Sequence, residues 1–271
     1  MKEDPPPDLI RLQPGPGLEP ASVPLFEYGP GDSALNAAWR LAEQGQLPPF
    51  GSLLMSSQTA GRGRAGRPWL SPPGHIYAAL RLPPEPPFDS PGASLALAWF
   101  LAEALADGGW TVAVKWPNDL LFQGGKAAGL LLEARRGLVL AGVGLNLNAP
   151  PAGVERAPGQ PPVSALPGAP EPKFLWRELV KKIIMLYYGR VSAWTMPELA
   201  AEAEKRLWRL NRPIRVLRPA AEPPAAADHL LGRLAGLGPG GQLLLDDGIR
   251  VSHIWSGTLC RYGEEDDFPP G

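Results

Sequence analysis

Between Thr111 and Leu147 the chain offers four short apolar runs, and runs of this length can bury themselves only as strands of a sheet. They are Thr111–Lys115, Asp119–Phe122, Ala127–Glu133 and Leu138–Leu147, with Gly124-Gly125 and Arg136-Gly137 as turns. Two more strands are predicted upstream, Leu53–Ser56 and Ile76–Leu82, the second stopped by Pro83-Pro84. Helical spacing marks Ala34–Gln44, with Asp32 or Ser33 as its cap. It also marks Ala93–Ala106, which ends at Gly108-Gly109, and the segments Phe174–Trp194 and Pro197–Leu210. Beyond Arg212 the pattern changes to short strands: Ile214–Leu217, Leu230–Leu237, Gln242–Leu245 and Ile249–Gly257, with Asp247-Gly248 as a two-residue hairpin turn.

These elements predict an α+β chain with two domains. Residues 25–210 form a mixed sheet with flanking helices, and residues 211–262 a small all-β barrel. Residues 1–24 read as a proline-rich tail, extended or disordered, residues 149–172 as a long proline-rich surface loop, and residues 263–271 as an acidic tail. The 32 glycines and 35 prolines alone would hint at disorder. The prolines cluster, however, and leave strongly apolar segments between them, so loops absorb them.

A net charge of −1 supplies no global field to recruit nucleic acid or an anionic membrane. The single cysteine, Cys260, excludes an intrachain disulfide framework and any multi-cysteine metal site. The N-terminus lacks the apolar core of a signal peptide, and no apolar run is long enough for a membrane span, so a cytoplasmic protein is expected.

Four stretches carry candidate chemistry. Residues 61–69 read Gly-Arg-Gly-Arg-Ala-Gly-Arg-Pro-Trp, after Gln58 and Thr59. Glycine lets backbone approach a ligand closely, and arginine offers a planar fork for carboxylate or phosphate. A solvated basic loop or an RNA-binding fragment fits this run equally well on its own. In Lys115-Trp116-Pro117-Asn118-Asp119, proline forces a turn and leaves Asn118 and Asp119 at a strand end. Lys126 opens an otherwise apolar strand, where it needs a partner, an anion or a route to solvent, and Gly129 leaves a bare face. Gly142-Val143-Gly144-Leu145-Asn146-Leu147-Asn148 alternates glycine and asparagine with apolar residues, as a strand entering a turn would.

Each stretch is modest alone, but their order is specific. Ser56 to Trp69, Ser71-Pro72-Pro73-Gly74, Lys115 to Leu120, Lys126 to Glu133, Gly142 to Asn146, and Asn211-Arg212-Pro213-Ile214 together make the chain resemble the biotin protein ligases over roughly residues 25–262. The resemblance implies a catalytic domain like that of class II aminoacyl-tRNA synthetases, plus an SH3-like C-terminal barrel. It implies ATP and Mg²⁺ as cofactors, biotin as substrate, biotinyl-5′-AMP as intermediate, and a lysine of a biotin carboxyl carrier protein as acceptor. It admits monomers and homodimers, and it leaves no room here for the DNA-binding domain that repressor members carry.

By the same resemblance, Arg62, Arg64 and Lys126 are catalytic. Ser33, Gln58, Gly61, Arg62, Gly63, Arg64, Lys126 and Gly129 contact biotin. Arg64, Arg67, Trp69, Asn118, Asp119 and Asn146 face ATP, with Asn118 and Asn146 near the metal. The loop over residues 61–69 is expected to order when biotin binds. The chain departs from the family pattern at Asp32-Ser33-Ala34-Leu35-Asn36, where a threonine is usual after the serine, and at His75, expected to be structural or interfacial. Residues 219–227 insert proline and alanine into the small domain. A lipoate or octanoate ligase or transferase of the same fold, and a catalytically weakened biotin binder, remain as alternatives.

Overall fold

A period of two along each strand sorts the side chains onto two faces, and the two faces meet different helices. In the computed structural model, which describes residues 7–12, 21–154, 158–191, 194–218 and 229–262, eight strands form one sheet. In chain order they are β1 (Asp8–Leu12), β2 (Ala21–Tyr28), β3 (Ser52–Met55), β4 (Ile76–Leu82), β5 (Ala113–Lys115), β6 (Asp119–Phe122), β7 (Gly125–Arg135) and β8 (Leu138–Leu145). Their spatial order is β1-β2-β3-β4-β8-β7-β6-β5. The β2–β3 pair is parallel, joined by helix α1 (Ala34–Glu43), and the other neighbours are antiparallel.

On one face, Leu53 and Met55 of β3, Ala79 of β4 and Leu140 of β8 pack against the buried Ala34, Leu35, Ala38, Trp39 and Leu41 of α1. On the other, Ile76, Ala78 and Leu80 of β4 and Val139, Ala141 and Val143 of β8 join the larger core with α2 (Ala93–Asp107) and α3 (Pro172–Leu186). Helix α2 is buried nearly all round, as expected of a helix held between a sheet and other helices. Each buried leucine or isoleucine contributes roughly 1.5–3 kcal/mol relative to exposure.

Several expectations shift. Strands β1 and β2 pair antiparallel although proline-rich sequence surrounds them. Part of the expected N-terminal tail (1–6 and 13–20), the acidic tail (263–271) and the proline–alanine insertion (219–228) lie outside the described residues. The turn after β6 is centred on Gln123 and Gly124, both at positive φ, one residue earlier than expected. Helix α3 stops at Leu186 and the chain continues as a wider turn over Tyr187–Val191.

Helix α4 (Met196–Glu204) begins at a capping box of Thr195 and Glu198 and ends six residues before the expected Leu210. The next segment lies along the edge of β5: Val114 N–H donates to Arg206 O (2.7 Å) and Trp208 N–H to Val114 O (2.9 Å). Satisfying an open sheet edge outweighs continuing the helix.

The C-terminal strands are β9 (Pro213–Leu217), β10 (His229–Leu237), β11 (Leu243–Asp246), β12 (Val251–Ile254) and β13 (Thr258–Arg261), paired antiparallel in the order β12-β11-β10-β9-β13. The β11–β12 connection spans residues 247–250 rather than two residues. The Asp247 carboxylate accepts the Ile249 and Arg250 N–H groups (both 2.9 Å), a local bond that favours the longer turn. This sheet is tied to the larger one where the Trp116 indole N–H donates to Gly241 O (2.9 Å).

Candidate active site

Helix α1 covers only part of its face of the sheet. Beyond it, Gly129 of β7 and Gly144 of β8 stand directly opposite each other in the ladder, so the strands there present bare backbone. The indole of Trp69 fills that space. A Cβ on Gly144 would lie 2.4 Å from Trp69 Cε2, and one on Gly129 would lie 2.8 Å from Cζ3. A cavity of about 470 Å³ opens beside it, bounded by the Gly-Arg loop, the ends of β5 to β8, and Gly257 and Thr258 of the small domain.

The Gly-Arg loop is a small hairpin. Trp69 N–H donates to Gly61 O (2.8 Å) and Gly63 N–H to Arg67 O (2.7 Å). Its tip turns through Ala65 (φ 55°) and Gly66 (φ 69°). At Gly61 a side chain is excluded, because a Cβ there would lie 2.6 Å from Trp69 O. The arginines divide between the walls. Arg64 Nη1 is 3.3 Å from Asn118 Oδ1 and 3.4 Å from Gly257 O. Its removal from water lowers its pKa, with Asp119 opposing that shift. Arg62 reaches the other wall, at Asn36 Oδ1 (2.7 Å) and Glu133 Oε1 (3.1 Å). Exposed Arg67 donates to Arg64 O (3.3 Å).

Strand register delivers the remaining charges. Asp119 opens β6 opposite Gly129 of β7. Its carboxylate is shared by Lys126 Nζ (2.7 Å) and Lys115 Nζ (3.2 Å). Burial alone would raise the Asp119 pKa, but the two ammonium groups, Lys126 first, hold it below the ordinary carboxylate range. Lys115 is almost fully enclosed, and that desolvation lowers its pKa against the pull of Asp119. The Lys126 ammonium also sits 5.1 Å from the Trp69 ring centre.

Two buried atoms that bound this space lack a protein partner: the Trp69 indole N–H and Asn146 Oδ1. The Asn146 amide N–H instead donates to Ser164 O (2.9 Å), and Asn118 Nδ2 donates to Leu130 O (2.5 Å). Gln58 is used at both ends: Oε1 accepts the Ala34 N–H (2.8 Å) and Nε2 donates to Ser71 Oγ (2.9 Å). Gln58 thereby supplies the first-turn acceptor of α1, whereas the sequence suggested Asp32 or Ser33 as cap. Ser33 takes the N-cap position, makes no side-chain cap bond and lines the cavity. His75 is structural: buried, it accepts the Leu147 N–H at Nδ1 (3.1 Å), and burial lowers its pKa. Among the described residues, no group of three or more His, Cys, Asp or Glu is placed to hold a metal ion.

The structure thus gathers Ser33, Gln58, Arg62, Gly63, Arg64, Arg67, Trp69, Asn118, Asp119, Lys126, Gly129 and Asn146 around one cavity, with Gly61 at the base of the loop. Sequence reasoning missed two groups. The proline-rich segment after β8 is a wall of the site rather than a free surface loop. Lys126 N–H donates to Pro162 O (2.6 Å), Ser164 N–H to Lys126 O (2.9 Å), and Gln160 Nε2 to Leu259 O (3.1 Å). Glu133 and Asn36, which hold Arg62, were also missed. The signal was present: a period of two puts Glu133 on the same face as Gly129 and Leu131.

A loop of arginines over a cavity whose wall holds two lysines on one carboxylate suits small anionic ligands. Comparison with known proteins narrows the class. Residues 37–148 match the model of the Biotin/lipoate A/B protein ligase family. A biotin–[acetyl-CoA-carboxylase] ligase of Mycobacterium tuberculosis is 30% identical over 220 residues, covering 76% of this chain and 77% of that protein. A ligase of the same name from Paracoccus denitrificans is 41% identical over 128 residues, a match spanning 51% of its length and 41% of this chain. The biotin protein ligase of Aquifex aeolicus, solved with biotin and ATP, aligns over 87% of this chain and 97% of its own with a TM-score of 0.67 and 25% identity. The chain belongs to the biotin/lipoate A/B protein ligase family, and both of these sequence relatives carry the name biotin–[acetyl-CoA-carboxylase] ligase.

Proposed function

We propose that this chain joins biotin to ATP, making biotinyl-5′-AMP and pyrophosphate, and then transfers the biotinyl group to a lysine of a biotin carboxyl carrier domain of acetyl-CoA carboxylase. The observation that carries this reading is the charge set at one end of the cleft. Lys115, Lys126 and Arg64 surround a single carboxylate, Asp119, and leave positive charge in excess. Adenylation brings two anions together. A biotin carboxylate oxygen bonds to the α-phosphorus while the bond to the pyrophosphate oxygen breaks. Cations fixed in a partly desolvated cleft offset that repulsion and stabilise the charge that spreads in the transition state.

Each residue then has a task. Lys126, held by Asp119, faces the bridge between acyl group and phosphate. Arg64 lies over the phosphate, and Asn146 Oδ1 is an acceptor without a protein partner, at a cost of about 1–3 kcal/mol until a ligand meets it. Ser33 and Gln58 face the ring end of biotin, and the backbone at Gly129 lines its path. The closed loop keeps water from the mixed anhydride. In the second half-reaction the carrier amine bonds to the acyl carbon and AMP leaves.

Mg²⁺, a hard cation that seeks oxygen ligands, fits this site only as a partner of the nucleotide, with Asn118 and Asn146 contributing amide oxygens at most. Such an ion would neutralise phosphate charge. The catalytic unit, expected over 25–210, extends upstream through β2 and β1, which belong to its sheet, and the small domain over 211–262 closes its nucleotide side.

The test is to incubate the chain with biotin, MgATP and an apo carrier domain and weigh the carrier. One biotinyl group per carrier, dependent on ATP, is expected. No mass change, or a preference for lipoate over biotin in a parallel incubation, would overturn the reading.

A further inference from the structure

Arg62 sits in the lid two residues from Arg64 but turns away from it. Its guanidinium bridges helix α1, at Asn36 Oδ1 (2.7 Å), and strand β7, at Glu133 Oε1 (3.1 Å). Both acceptors are themselves fixed. Glu133 Oε2 accepts the Trp39 indole N–H (2.8 Å) and an Arg135 N–H (2.6 Å), while Asn36 Nδ2 donates to Asp32 Oδ2 (2.9 Å). Arg62 and Glu133 are both less than one-third exposed, so solvent screens the pair only in part.

The lid is therefore pinned at opposite walls, by Arg64 on the Asn118–Gly257 side and by Arg62 on the Asn36–Glu133 side. Beyond the pins the hairpin turns through Ala65 and Gly66, and these tip residues are exposed. Just ahead of the lid the backbone is also tied to this wall, where Ala60 N–H donates to Asp32 O (2.9 Å); Arg62 is the tie that the lid's own side chains add there.

We propose that Glu133 and Asn36 are positioning residues: a two-point latch that seats the lid through Arg62 and thereby retains the activated intermediate. The retention part rests on the adenylating function proposed above; the latch itself does not. Neither residue touches the reacting atoms. Each acts by fixing the guanidinium that fixes the loop.

Limited trypsin cleavage of the ligand-free full chain after Arg64, at the turn into exposed Ala65, reads the latch directly; the bond after Arg67 precedes Pro68 and resists trypsin. E133Q and N36A are each expected to speed cleavage there by about three- to tenfold. The effect should vanish in an R62Q background, because the latch has already lost its bolt. N36A is the second arm in case E133Q disturbs the fold. Wild-type cleavage in both variants, or an equal acceleration with and without Arg62, would overturn the proposal. In parallel, E133Q supplied with biotin and MgATP but no carrier should form adenylate at the wild-type initial rate and release it to solution about three- to tenfold faster. Slowed formation with unchanged release would mark a merely structural role. If the wild-type chain forms no adenylate, the functional reading fails while the cleavage result still decides the latch.

Discussion

Gly144→Ala tests the seating of the lid with a single methyl group. In the structure the added Cβ would stand 2.4 Å from Trp69 Cε2 and 2.5 Å from its Nε1. That is about 1 Å inside ordinary van der Waals contact, and the obstacle is a rigid indole, so the ring must leave its seat. Overpacking of this kind costs about 1–3 kcal/mol. Here the cost falls on lid closure, because the face of β8 at Gly144 carries the lid and no helix. At about 1.4 kcal/mol per factor of ten, closure weakens by roughly 5- to 150-fold.

The assay is dissociation of a non-hydrolysable biotinyl-AMP analogue, followed by competition, with a melting curve as control. Faster dissociation at a nearly unchanged melting temperature is expected. In a W69A background the methyl meets no indole, and the added effect of G144A should disappear. Unaltered dissociation in G144A, or the same loss with and without Trp69, would refute the argument from packing.

Three further outcomes follow from the charge arrangement. K126A should slow adenylation by about 10²–10³-fold, read as pyrophosphate release, since it removes a fixed cation from the place where charge develops. R64A should release biotinyl-AMP faster and label lysines other than the carrier's, read by mass spectrometry of a bystander protein. The Asp119 carboxylate is held below its ordinary value, so the stability it lends is complete above the unfolded value of about 3.9 and is lost as pH falls through the lower folded value. D119N should remove that part of the acid transition, and it should cost about 3–5 kcal/mol at pH 7 in a denaturant titration, because the enclosed Lys115 loses its counter-charge.

The sequence made the core elements legible where local pattern and tertiary packing agree. Strand β4 falls on the expected Ile76–Leu82, and β6 on Asp119–Phe122. It failed where a distant partner decides the outcome. Strand β1 exists because β2 pairs with it, and α4 ends early because the edge of β5 captures residues 206–208. The site shows the same division. The glycine–arginine run, Lys126 and the Asp119 turn announce themselves because each breaks a local rule: too much backbone freedom, or a charge entering an apolar strand. Glu133, on the same strand face as Gly129 and Leu131, is a weaker signal of the same kind, and Asn36 breaks no local rule. They gain meaning only when β7 and α1 are brought to opposite sides of Arg62. The proline-rich segment after β8 misled for the reverse reason, since its composition suggests free surface while its backbone hydrogen bonds hold it against Lys126 and Asn146.

The most direct measurement is a crystal structure of this chain bound to a non-hydrolysable biotinyl-AMP analogue. The account predicts the Lys126 ammonium and the Arg64 guanidinium within hydrogen-bond reach of the acyl–phosphate bridge, with Trp69 still seated on Gly144 and Arg62 still on Glu133. An analogue bound elsewhere, or bound in this cleft with Lys126 and Arg64 turned away from its phosphate, would contradict it.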